Sequence, residues 1–281
     1  MNQAQLPITS QPADWLAETR SQARERAARA KTEAEAAARA QAIWEKLASN
    51  VEKKWWFHIR AILEQEAAFF HQLRETANNV APHLEGLYEE AKKQTEELLL
   101  QLPRDMERMA ANHQLPLDRS QSRHPRYKFR DGFITVEIDE LKRLARIKDY
   151  EERLAELPPD TEAIAEVLKR EDHRLFGRRF DGAEFLACLR KHYLAILKKN
   201  KQADGDPVPL RHIARRMADK KRHFRRDEFL IDLSRLVVEG PAEVDGMRFD
   251  LQQTKDTEQG MLLYGPAGRG MVNLLIFRKE K

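Results

Sequence analysis

Cysteine is nearly missing from this chain: 281 residues include one, Cys188. A lone cysteine excludes an intrachain disulfide framework and a multi-cysteine zinc site. It also makes a reducing, cytoplasmic compartment the default expectation. No run approaches the roughly 20 uncharged apolar residues of a membrane-spanning helix, so no membrane partner is expected. The opening MNQAQLPITSQPADW lacks the basic start and apolar run of a secretory signal. Between Pro12 and Pro82 there is neither proline nor glycine, so nothing in that stretch forces a helix to stop.

Catalytic signatures are also missing. The nine histidines form no HExxH or HxxxH pair, and structural or surface roles are expected for them. Cys188 and His192 lie one helical turn apart in EFLACLRKHYLAIL, a spacing that suits a core helix with a small buried thiol. The string GPAGRG at 265–270 lacks the lysine of a phosphate-binding loop and falls between two strand-like runs, so it reads as a hairpin turn. Asp131, a strand and then Glu140-Leu141-Lys142 make a faint approach to the acid…(D/E)xK pattern of metal-dependent nucleases, where carboxylates hold a divalent ion. Glu140 and Lys142 fall at an expected helix start, however, where an acid is ordinary. No enzyme activity, metal or cofactor is therefore expected; a nuclease is the third and most distant reading.

Charge is abundant and uneven. Charged residues make up 34% of the chain, with 50 basic and 46 acidic side chains and a net +4. Residues 211–226, RHIARRMADKKRHFRR, hold eight Lys/Arg against Asp219, a local +7. Residues 119–130, RSQSRHPRYKFR, add +5, and taking both segments off the net charge leaves −8 for the rest. Concentrated cations on an acidic body attract phosphate backbones, where neutralisation releases counterions. A face for an acidic protein partner is the competing reading, and 119–130 also suits a plain basic linker.

At this length one large or two ordinary domains are expected. Residues 23–42 contain ten alanines among Arg, Glu and Lys. Alanine favours helix, but such a surface buries little, so 1–42 is expected to be a projecting or partly disordered helical arm open to a partner helix. If unbroken, the 64 residues from Ala13 to Thr76 span about 95 Å. From Ile43 a stripe of large apolar residues (Ile43, Leu47, Val51, Trp55, Ile59, Ile62) recurs at helical steps. A second stripe runs from Leu84 to Pro103, and a short third piece covers 105–112. The simplest assembly over 43–112 is a coiled-coil-like antiparallel hairpin or bundle, suited to self-association or protein docking.

Residues 113–180 read as a basic linker and a small mixed segment. FITVEI at 133–138 alternates as a strand after the Asp131-Gly132 turn. Leu141, Leu144, Ile147 and Leu154 suit a helix ended by Pro158-Pro159, and Asp160 can cap the next one.

The last third has the clearest order. Asp181-Gly-Ala-Glu184 resembles a capping box opening a helix with Phe185, Leu186, Leu189, Tyr193, Ile196 and Leu197 inward. A polar loop, a short helix (Leu210, Ile213, Met217) and a third helix (Phe229, Leu230, Leu233, Leu236) follow, ended by Gly240-Pro241. Strand-like Met247 to Gln253, a turn at KDTEQG, Met261 to Tyr264 and a strand from Met271 complete it. In element order, lengths and charge, 181–279 resembles a winged helix-turn-helix domain. The resemblance implies a third helix in the major groove and a wing on the backbone. It would set Arg225, Arg226 and Arg235 toward the groove, with Arg215, Arg216, Lys220, Lys221 and Arg222 on phosphates and Lys255 on the wing. Arg211 belongs to the same basic segment. The chain thus reads as a mainly α protein with a C-terminal α+β winged-helix-like domain at 181–281. The function that follows is a non-catalytic nucleic-acid-binding (duplex DNA) scaffold or adaptor of a multi-protein assembly. The alternative is a purely protein-binding subunit.

Overall fold

The computed structural model describes residues 12–76, 80–220, 222–256, 259–265 and 270–279. The chain is mainly helical, with antiparallel sheets in its C-terminal region. It divides into two compact units, Met1–Ala91 and Lys92–Lys281. The signal-peptide reading of residues 1–11, Lys221 and most of the GPAGRG string lie outside the described residues.

The first unit contains α1 (Pro12–Lys53), α2 (Trp56–Gln65), α3 (Ala67–Thr76) and the start of α4 (Ala81–Asn112). The stretch 13–76 is not one unbroken helix: it breaks twice, at Lys54-Trp55 and at Glu66. Lys54 is left-handed (φ 56°); its N–H donates to the Val51 carbonyl and that of Trp55 to the Asn50 carbonyl, at 3.1 and 2.9 Å. That is a Schellman stop with lysine where glycine is usual. Ile43, Leu47, Ile59, Leu63, Phe70 and Leu84 are buried together, with Trp44 edge-on to Phe69 and Phe70. The core thus draws on four helices rather than on one hairpin. Val51 of the expected stripe is exposed. Residues 15–39 of α1 are exposed throughout, as their alanine-rich composition implies.

The expected stop at Pro103 does not occur, because α4 carries it inside the helix. Pro103 sits on the exposed side, while Leu102, Met106, Met109 and Ala110 are buried opposite and hold the helix through packing. In the second unit this end of α4 packs on a four-stranded antiparallel meander: β1 (Arg126–Phe129), β2 (Ile134–Asp139), β3 (Leu144–Lys148) and β4 (Arg153–Leu157), in that order. The basic segment 119–130 therefore runs into a sheet, and the helix expected over Leu141 to Leu154 is two strands. Spacing by three imitated a helix, yet Ala145 and Ile147 face the core on alternate positions and Leu141 is 95% exposed. The β2–β3 turn has Arg143 at φ 49°, and Lys142 N–H donates to Asp139 Oδ1. The β3–β4 turn is closed by Asp149 Oδ1, which accepts from the N–H groups of Glu151 and Glu152. Helix α5 (Thr161–Phe176) follows Asp160 and buries Ile164 and Leu168.

Next come α6 (Gly182–Asn200), β5 (Val208–Pro209), α7 (Leu210–Lys220), α8 (Arg226–Glu239), β6 (Glu243–Val244), β7 (Met247–Thr254), β8 (Met261–Leu262) and β9 (Met271–Lys279). Asp181 caps α6 as read, its Oδ1 accepting from the Glu184 N–H at 2.9 Å. The second sheet runs β5-β9-β7-β6, antiparallel, with β8 also paired to β9. Leu189, Tyr193, Ile213, Leu230, Leu233 and Phe277 form its core with the three helices. Helix α8 serves two cores: Leu230 and Leu233 face this one, whereas Ile231 is buried with the meander and α5.

Candidate nucleic-acid interface

The structure divides nine of the ten basic candidates into two groups. Arg211, at the start of α7, is tied inward: its Nη2 donates to the Gly260 carbonyl at 2.7 Å and its Nε to that of Gln259. Arg225 lies 3.3 Å from Asp227, and Arg226 is 3.9 Å from Glu151 on the β3–β4 turn. Arg235 donates to the Arg178 carbonyl, pairs with Glu239 and lies over the Phe180 ring. Arg215, Lys220, Arg222 and Lys255 are exposed and Arg216 is half-buried. None of these five has an ion pair to another described residue. Lys221 lies outside the described residues.

The acids of α8 are gathered by a cluster reaching from α5. Arg174 donates to Glu171 at 2.8 Å, to Glu228 at 2.9 Å and to Asp227. Arg178 donates to the Glu228 carbonyl at 2.7 Å and to Asp232 Oδ1 at 2.6 Å. Burial by itself would push the Asp227 carboxyl up, but the hydrogen bond and charge of Arg174 hold it below the ordinary range. At Asp232 burial prevails over Arg178 and the carboxyl is pushed up. Asp227, Glu228 and Asp232 are therefore the groups that fasten α8 to the rest of the unit. Arg225, Arg226 and Arg235 each have an acid nearby within the chain, Asp227, Glu151 and Glu239.

A second basic surface was not read from the sequence. Lys191, exposed, and His192, half-buried, lie on α6 beside Arg216 and Lys220 of α7. Burial first, and then the charges of Arg216, Lys191 and Lys220, lower the His192 pKa. Its Nδ1 is buried without a hydrogen-bond partner. The apolar stripe of α6 masked this surface, because the helix reads as core and its cations lie on the opposite face. The adjacent Lys191-His192 pair was the available signal.

No known family model, curated protein or solved structure matches this chain.

The faint nuclease pattern is not assembled. Asp131 lies in the β1–β2 turn and Glu140 in the β2–β3 turn, at opposite ends of the six-residue β2, about 20 Å of strand apart. The Glu140 carboxylate accepts from His124 Nε2 at 2.6 Å. Glu140 and Lys142 occupy a hairpin turn rather than a helix start. Among the described residues no three His, Cys, Asp or Glu side chains are grouped to hold a metal ion. No helix among them is long and apolar enough to cross a membrane. A cavity of about 550 Å³ opens between α6, α7 and α8, lined by phenylalanines such as Phe185 and Phe229 and by charged residues, among them Arg178, Arg225, Glu228 and Asp232.

Proposed function

We propose that residues 181–279 form a winged helix-turn-helix domain and that the chain is a non-catalytic, cytoplasmic nucleic-acid-binding subunit of a larger assembly, with duplex DNA as its ligand. The element order α6-β5-α7-α8-β7-β9, with β9 lying between β5 and β7, supports the domain reading. One observation carries the ligand: Arg215, Arg216, Lys220, Arg222 and Lys255 have no ion-pair partner among the described residues, in a domain whose other described candidate arginines have partners within the chain. Unpaired cations cost least to bring against phosphates, since no internal bond is given up. Among the helices of the first unit, the exposed, alanine-rich stretch of α1 suits docking to other proteins.

The test is anisotropy of a labelled duplex titrated with protein at about 50 and 200 mM salt; binding that collapses at the higher salt is expected. Reversing charge at Arg215, Arg216 and Lys220 should abolish retention while leaving assembly state unchanged. A second reading, protein docking through this domain, is favoured by the cavity with phenylalanines in its lining. Under it the duplex stays free at both salts.

A further inference from the structure

Resting on that reading, we infer that the duplex is held through its phosphates by the joined faces of α6 and α7, with α8 withheld from the major groove, so that binding is indifferent to base sequence. Direct readout needs side chains with free donors or acceptors that can reach base edges. Most of the polar side chains of α8 are engaged within the chain. Asp227, Glu228 and Asp232 are engaged by Arg174 and Arg178, and Arg235 is tied to the Arg178 carbonyl and Glu239. Ser234 Oγ donates to the Leu230 carbonyl and accepts from the Tyr264 N–H. Arg226, 54% exposed, has its one counter-charge among the described residues, Glu151, 3.9 Å away, and the remaining exposed positions near the helix end are Val237, Val238 and Glu239.

The free positive charge lies elsewhere. Lys191 of α6 joins Arg216 and Lys220 of α7 around His192, whose buried Nδ1 lacks a partner. Arg215 and Arg222 extend the same basic segment and are exposed. Five such cations give a salt slope of about −4 to −5 on logarithmic axes, a term blind to sequence.

The experiment uses the full chain, a labelled duplex and unlabelled competitors of equal length and unrelated sequence. Competitors should displace the probe within about twofold of one another. Lys191→Glu, on an exposed site outside the basic segment, should weaken binding about tenfold at 50 mM salt and flatten the slope by about one to two. Arg226→Ala should bind like the wild type. Circular dichroism confirms that both variants fold. A competitor preferred tenfold or more, or loss in Arg226→Ala with Lys191→Glu unaffected, overturns the sequence-blind mode while leaving nucleic-acid binding standing. If wild-type protein binds no duplex, the underlying reading fails and the inference falls with it.

Discussion

Replacing Arg174 by methionine keeps much of the side-chain volume and removes the charge that holds three carboxylates together. The Asp227 side chain is 4% exposed and that of Glu171 8%, so both lose a counter-charge where water cannot replace it. Breaking a buried pair from one side costs about 3–5 kcal/mol. Arg174 is itself 22% exposed, and Arg225 remains near Asp227, so about 3 kcal/mol is the reasoned loss. With a urea slope of about 3 kcal/mol per molar, the midpoint should fall by about 1 M at pH 7. The sign with pH follows from Asp227. In the wild type its carboxyl is held low by Arg174, so the pair's contribution is complete above the ordinary value of about 3.9 and fades only as pH falls through the lower folded value. Without Arg174 burial prevails and the carboxyl rises, so the variant loses further stability as pH climbs past about 4. The gap between the two proteins should therefore widen from about pH 3 to pH 6. Adding Asp227→Asn to Arg174→Met should recover part of the loss, because no buried charge is then stranded. A midpoint for Arg174→Met within about 0.2 M of wild type at pH 7 would refute the claim that this cluster fastens α8.

Three further expectations concern single sites. Asp181→Ala removes the acceptor for the Glu184 N–H and should cost about 1 kcal/mol, read as a urea midpoint shift; an unchanged midpoint would deny the cap any stabilising role. Pro103 occupies the exposed side of α4, so Pro103→Ala should restore a helical hydrogen bond and stabilise the fold by about 1–3 kcal/mol. A lower melting temperature would show that α4 needs the proline. His192 is held below its ordinary value of about 6.5, so the unfolded chain takes its proton first and stability falls as pH drops through that value. His192→Gln should flatten the stability curve between about pH 7 and 5; superimposable curves would reject the basic surroundings assigned to it.

How far the fold could be read in the sequence depended on whether a local rule marked each boundary. Asp181 announced the start of α6, and Asp131-Gly132 announced the β1–β2 turn, where Gly132 has φ 86°. Two of the ends that were missed are left-handed residues other than glycine. Lys54 at the end of α1 and Arg143 between β2 and β3 have φ 56° and 49°. Lysine and arginine carry no turn signal, because the conformation there is imposed by packing on either side rather than by residue preference. The meander was half legible for the same reason: Ile134 to Ile138 alternates cleanly, while Leu141, Leu144 and Ile147 imitate a helical stripe until the sheet assigns each a face.

For the candidate interface, the sequence by itself determined where positive charge is dense, at 211–226, and that α6, α7 and α8 would carry apolar faces in that order. Helix periodicity and charge runs are local properties, and they survive folding. Which of those cations stay available was decided only by tertiary structure. Arg211 and Arg226 meet Glu151, 60 and 75 residues away in the chain, and Arg174 and Arg178 reach the acids of α8 from beyond α6 and α7. An ion pair depends on distance in space, and the chain brings these partners together only when the meander, α5 and α8 close around one core.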